Sequence, residues 1–163
     1  MPNEPKVILY SADQLDIAAY CLLQQSSFAD LFKQNNIVGN YLDPAFFQWK
    51  YNTPAGKARI AVISENGQMV ASVAMYPVNL IMGGEISTSW HFVEAAPLPE
   101  ARGRGLFKAC MQTLIDSLES DELIYVFPNR TSINGTIDLG FQQLFLSRFF
   151  SFCFLRNKQS RGF

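Results

Sequence analysis

Charge is scarce in this chain. Asp, Glu, Lys and Arg make up 17% of its 163 residues against 48% hydrophobic ones, and the net charge is -1. A surface so sparsely charged, and slightly acidic, is no footprint for a nucleic acid. Histidine occurs once, at His91, which leaves nothing from which to assemble a zinc constellation, and no metal is expected. The cysteines, Cys21, Cys110 and Cys153, are odd in number and scattered, so they read as thiols of a reducing cytoplasm and not as a disulfide frame. No apolar run is long enough to span a bilayer, and Met1-Pro-Asn-Glu-Pro-Lys6 has no feature of a signal peptide. Two nucleotide motifs are missing too. A G-x-G-x-x-G fingerprint fails because Lys108 stands where its last glycine belongs, and no G-x-x-x-x-G-K-[ST] occurs. What remains is an apolar, globular, cytoplasmic chain of a length that suits a single domain over 1–163.

The stretch Pro97-Leu-Pro-Glu-Ala-Arg-Gly-Arg-Gly-Leu-Phe-Lys108 organises the rest. Strand-like alternation precedes it and an amphipathic helix follows, with Phe107, Cys110, Met111, Leu114 and Leu118 on the apolar stripe and Lys108, Gln112, Asp116 and Glu119 on the polar one. Glycines at a strand-to-helix turn adopt backbone conformations closed to other residues and let a ligand approach. The first helix amides have no internal partner, and the positive end of the helix dipole adds to them, so the turn suits a phosphate or pyrophosphate. Cys110, on the apolar stripe, reads as packing.

Around this loop the pattern is mixed. Val7–Tyr10 reads as a first strand, with Ser11 or Asp13 capping a helix that carries Leu15, Ala18, Ala19, Leu22 and Leu23; a further amphipathic piece surrounds Phe28, Leu31 and Phe32. Asp43-Pro44 starts a short helix bearing Phe46, Phe47 and Trp49, closed by Asn52-Thr-Pro-Ala-Gly56. This aromatic cluster serves either as core or as a wall of an acceptor pocket. A meander follows: Ala58–Ser64, an Asn66-Gly67 hairpin, Met69–Ile81 with a bend at Pro77, a Gly83-Gly84 turn and Glu85–Ala96. After the central helix, Leu123–Phe127 is a short strand, Asn129 caps the next helix and Gly140 closes it.

Arg102-Gly-Arg-Gly105-Leu-Phe107, with Pro99 ahead of it, resembles the R-x-x-G-x-G/A pyrophosphate loop of the GNAT superfamily of N-acetyltransferases, although Phe107 stands where Gly or Ala is usual. Phe127-Pro-Asn129-Arg-Thr-Ser132 followed by Leu139-Gly-Phe141 is similar to that family's second signature. The F-x-W-K-Y segment, Phe47–Tyr51, resembles a subset of larger GNAT-like proteins. The resemblance implies an α+β fold in which helices flank a mostly antiparallel, twisted sheet, and splayed strands form the CoA cleft. It also implies acetyl-CoA as cosubstrate and an amine as acceptor, with direct transfer in a ternary complex. The pantetheine arm is expected along Val93–Pro97, hence at Ala95, Ala96 and Pro97, of which Pro97 lacks an amide hydrogen. The pyrophosphate is expected at Arg102, Gly103, Arg104, Gly105, Leu106, Phe107 and Lys108. Asn129 and Ser132 are expected either near the cofactor or as helix caps.

Acyl transfer needs a base for the amine, a donor for the oxyanion and a proton for the leaving thiolate. Glu94 is the expected base, made usable by apolar neighbours Trp90, Phe92 and Ala96. His91 is the alternative, and on a regular strand the two face opposite sides, so that one of them lines the cleft unless a bulge intervenes. Where the family has a tyrosine to protonate the thiolate, this chain has Thr136, a far weaker acid. An inactive acyl-CoA-binding or interaction domain is therefore the alternative. Beyond Phe141 there is room for one long strand, Leu144–Leu155, where the family has two. The expectation is a domain lacking its last strand or cut from a longer protein, with an unpaired apolar edge that invites a homodimer.

Overall fold

A computed structural model describes residues 5–37, 43–119 and 122–142. The expected strand at 144–155, and the dimer built on it, lie outside these residues. The described chain forms a five-stranded sheet in the order β1-β4-β5-β6-β7, made of β1 (Val7–Ser11), β4 (Arg59–Glu65), β5 (Gln68–Met82), β6 (Glu85–Val93) and β7 (Leu123–Val126). All neighbours are antiparallel except β6 and β7, which run parallel. A small ribbon pairs β2 (Asn52–Thr53) with β3 (Gly56–Lys57). Helices α1 (Ile17–Gln34) and α2 (Pro44–Tyr51) pack near β4 and β5 on one face, and α3 (Leu106–Asp116) packs on the other. This is the mixed, helix-flanked sheet the resemblance implied.

Period-two alternation divides the sheet residues between two cores. Ala61, Ile63, Val73, Met75, Trp90 and Phe92 pack with Leu106, Cys110, Met111 and Leu114 of α3. Ile60, Val62 and Ala74 face Tyr20 of α1 and Phe47 and Tyr51 of α2. Each fully buried large side chain of this kind is worth roughly 1.5–3 kcal/mol, and together they fix which side of the sheet each helix takes.

Several local expectations change. The residue capping α1 is Asp16, whose carboxylate accepts from the Ala19 amide at 3.0 Å, and neither Ser11 nor Asp13 takes that role. Ser11 instead donates to Asp13, and Asp13 is paired with Lys57 at 2.7 Å. Asp13 is tied up in this way before the helix begins. The pieces expected around Leu22 and Phe32 are one continuous helix of 18 residues. Helix α3 ends at Asp116, short of Leu118, because Ser117 turns its side chain back onto the Leu114 carbonyl at 2.7 Å. Pro77 does not interrupt β5. It pairs with Trp90 while its carbonyl accepts from Thr53 Oγ1 at 3.0 Å, on the side away from β6. The missing N–H therefore falls where no ladder bond was due. Asn66 and Gly67, at φ 51° and 79°, form the hairpin turn the sequence predicts. Among the described residues, no helix is long and apolar enough to cross a membrane.

Candidate active site

The decisive local feature is a bulge after β6. Val93 pairs with Ala74, yet Ala96 exchanges both backbone bonds with Ser72, at 2.9 and 3.3 Å, and Leu98 donates to Val70 at 2.9 Å. The β6 side thus carries one residue more than β5 between these pairs. Glu94 absorbs it at φ 52°; the other non-glycine residues with positive φ among those described are asparagines, Asn36 and Asn66. Such a conformation costs about 1–3 kcal/mol in a residue like glutamate and is characteristic of functional sites. Because Ala96 and Leu98 turn their backbone groups toward β5, Ala95 and Pro97 turn theirs away from it, toward β7. Among the described residues the Ala95 amide has no partner there. Pro97 offers that side only a carbonyl. The pairing of β6 with β7 ends at Phe92 with Val126, short of these groups.

The bulge is the exception that the expectation of opposite faces left open. His91 and Glu94 do not face opposite sides, since the extra residue brings Glu94 onto the face of His91. Lys50 of α2 donates to Glu94 Oε1, and the same cation lies close enough to act on His91. The neighbours of Glu94 are correspondingly different from those expected. Trp90 and Phe92 belong to the α3 core, whereas Glu94 meets Lys50 and Tyr51, the latter donating to Oε2. Tyr51 in turn lies 2.8 Å from Tyr20, hydroxyl to hydroxyl, and with the Tyr51 proton committed to Glu94, Tyr20 is the donor between them. Gln24 and Ser72 close the chain behind Tyr20. Burial, then the negative charge of Glu94, holds the Tyr20 hydroxyl well above the ordinary phenol range; for Tyr51 the causes are burial, then Tyr20 and Glu94. Both remain proton donors, which fixes the polarity of the chain toward the carboxylate.

A second row crosses the same face. Tyr76, His91 and Tyr125 are register partners on β5, β6 and β7. Tyr76 Oη is 3.0 Å from His91 Nδ1, and the imidazole stacks on Tyr125 at 4.6 Å between centroids. Burial, then the charge of Lys50, pulls His91 below its ordinary value of 6.5.

The glycine loop follows the bulge along the chain. Gly103 and Gly105 have φ 74° and 76°, and a Cβ built on either would meet nothing within 4 Å, so the loop faces open space. Gly105 caps α3 without any side-chain hydrogen bond. The helix's own bonding begins with Ala109 donating to the Gly105 carbonyl at 3.1 Å, which leaves the amides of Leu106, Phe107 and Lys108 as outward donors. The arginines are held by the protein. Arg102 donates to the Ser27 carbonyl at 3.0 Å, and Arg104 forms a two-pronged pair with Glu65, at 3.2 Å for the longer contact. Phe107, in place of the usual small residue, has room because α4 (Ile133–Ile137) presents Gly135 to it; a Cβ there would lie 3.0 Å from the ring.

Asn129 and Ser132 act on each other. Asn129 Oδ1 accepts from the Thr131 and Ser132 amides at 2.9 and 3.0 Å, and Ser132 Oγ lies 3.1 Å from the Asn129 amide. Both are used as caps of the turn into α4. Thr136 is 3% exposed and donates to the Ser132 carbonyl at 2.9 Å, so its proton is committed. Cys110 is buried in the α3 core and its thiol is pushed up to about 12 by burial. Lys50, Tyr51, Tyr20, Tyr76 and Tyr125 were not expected as neighbours of Glu94 and His91. The one signal in the sequence was the F-x-W-K-Y segment, whose aromatic cluster was open to both core and pocket wall; Phe47 is core.

A bulged strand beyond the end of its parallel pairing, an amide without a partner among the described residues beside a carboxylate, and a glycine-led helix start are features of an acetyltransferase domain. The chain belongs to the GNAT acetyltransferase family: the model of the Acetyltransferase (GNAT) domain matches residues 11–142. Members of this family use acetyl-CoA. No curated protein matches the chain significantly. Among solved structures, it is similar to a GCN5-related N-acetyltransferase from Ralstonia eutropha JMP134, with TM-score 0.65 at 11% identity over 90% of this chain and 99% of that one. A predicted acetyltransferase from Clostridium acetobutylicum, crystallised with acetyl-CoA, aligns with TM-score 0.63 at 14% identity over 88% and 96%. An aminoglycoside acetyltransferase from an uncultured soil metagenomic sample, in complex with trehalose, aligns with TM-score 0.65 at 12% identity over 93% and 99%. At such identities these likenesses speak for the fold.

Proposed function

We propose that the chain transfers an acetyl group from acetyl-CoA to an amine by direct attack in a ternary complex, with Glu94 as general base. The observation that carries this reading is the bulge. It places a carboxylate next to an unpaired amide, that of Ala95, on the side where β6 and β7 part. A thioester carbonyl there would accept from Ala95, and the pantetheine arm would run along Ala95–Pro97 with the Pro97 carbonyl as acceptor. The pyrophosphate would take the amides of Leu106, Phe107 and Lys108 behind Gly103 and Gly105. The acceptor ammonium gives its proton to Glu94, the amine attacks the carbonyl carbon, and the C–S bond breaks with its electron pair leaving on sulfur; the nitrogen gives up its second proton, and of the two protons one ends on the CoA thiol and one in solvent.

One observation favours a second reading, an acyl-CoA-binding domain without turnover: the Thr136 hydroxyl, a far weaker acid than a phenol, already donates its hydrogen bond to the Ser132 carbonyl. Kinetics separate the two. Glu94→Gln keeps the shape and removes the base, so kcat with a reactive amine should fall about a hundredfold or more while acetyl-CoA affinity stays unchanged. A wild-type protein that binds acetyl-CoA but turns over no amine supports the second reading instead.

A further inference from the structure

We propose that Lys50 is itself an acceptor, acetylated on Nζ by the chain's own acetyl-CoA. The inference rests on Glu94 being the base. If it is, the acceptor amine must sit on that carboxylate, and in this structure a primary amine already does: Lys50 Nζ on Oε1. The Tyr51 hydroxyl holds Oε2, so the carboxylate is fixed with Oε1 toward the amine. Lys50 differs from the protein's surface lysines. Its side chain is 23% exposed, against 54% for Lys57, and its ammonium is held between Glu94 and the Phe46 ring, at 5.8 Å to the centroid.

The step balances without a further reactant. Lys50 loses one proton to Glu94, its free electron pair forms the N–C bond to the thioester carbonyl, and the C–S bond breaks with its electron pair leaving on sulfur. The amide nitrogen gives up a second proton as the intermediate collapses. Of these two protons one ends on the CoA thiol and one in solvent. The product is an amide that carries no charge, so Glu94 is left without its intramolecular cation and its Oε1 becomes free for an external amine.

The test uses the whole chain, acetyl-CoA and peptide mass mapping over time, with acetyl-CoA binding measured in parallel by calorimetry. Chemical acetylation by free thioester favours the exposed amine, so Lys57 is an internal control. The expected result is an acetyl group on Lys50 appearing at least tenfold faster than on Lys57, with Gly105→Val abolishing the Lys50 signal and leaving that of Lys57. Binding of acetyl-CoA with Lys50 unmodified, or modified no faster than Lys57, overturns the inference and leaves the acetyltransferase reading intact. No binding of acetyl-CoA overturns both. The comparison of two lysines within one wild-type sample does not depend on any variant folding.

Discussion

The glycine loop and the Glu94 cluster are separated by a few residues along the chain and are built on opposite principles. At the loop the groups on offer are backbone amides, and the charged side chains are held by the Ser27 carbonyl and by Glu65. At Glu94 the working groups are side chains drawn from α1, α2, β5 and β6, and the backbone contributes one strained residue and one free amide. The loop should therefore tolerate loss of its arginines and fail when a glycine is lost. The cluster should register every side chain removed from it.

The largest effect that would sharpen this contrast is Gly105→Val. A β-branched residue at φ 76° costs about 1–3 kcal/mol, and its side chain fills the open space in front of the α3 amides. Calorimetric titration should show no acetyl-CoA binding by a protein that still folds; tight binding would reduce the loop to a turn. Next comes Tyr51→Phe. It removes one donor from Glu94 and leaves the buried Tyr20 hydroxyl without its acceptor, so stability should fall by about 1–3 kcal/mol in denaturant unfolding, and activity should fall with it. An unchanged midpoint would show that the hydroxyl chain is not coupled.

A smaller effect is expected from pH. The His91 value in the folded state lies below the unfolded 6.5, so the unfolded chain binds more protons in that interval. Stability attributable to His91 is thus complete above 6.5 and declines as pH falls below it, levelling once the folded value is passed. Thermal unfolding of wild type and His91→Gln across that range should show a slope in the first that is reduced in the second. The smallest effect is Arg104→Ala. An exposed pair with Glu65 contributes little, and the loop amides are untouched, so acetyl-CoA affinity should drop far less than for Gly105→Val. Equal losses for both would erase the distinction between a backbone site and a side-chain site.

Much of the loop was legible because its physics is local. Positive φ at Gly103 and Gly105 and free amides at the start of α3 follow from a strand, two glycines and an amphipathic helix in that order. The strands of the meander and the Asn66-Gly67 turn were legible for the same reason. The start of α1 was misplaced because Ser11, Asp13 and Asp16 are all plausible caps, and only the pairing of Asp13 with Lys57, a residue far along the chain, decides among them. Phe107 departs from the small residue usual in the loop, and Gly135, far along the chain, gives it room, an accommodation no local pattern carries.

The sequence by itself determined the family, most of the order of elements and the glycine turn that leaves the first α3 amides unbonded, since each depends on neighbours within a few residues. The tertiary structure alone decided the surroundings of Glu94. A single extra residue between Val93 and Ala96 becomes a bulge only when β5 supplies its register, through Ala74 and Ser72. That register turns Glu94 onto the face of His91, where α2 delivers Lys50 and Tyr51 to its two oxygens. Alternation along one strand predicts which side a residue faces only while pairing is regular, and whether it is regular is a property of the partner strand.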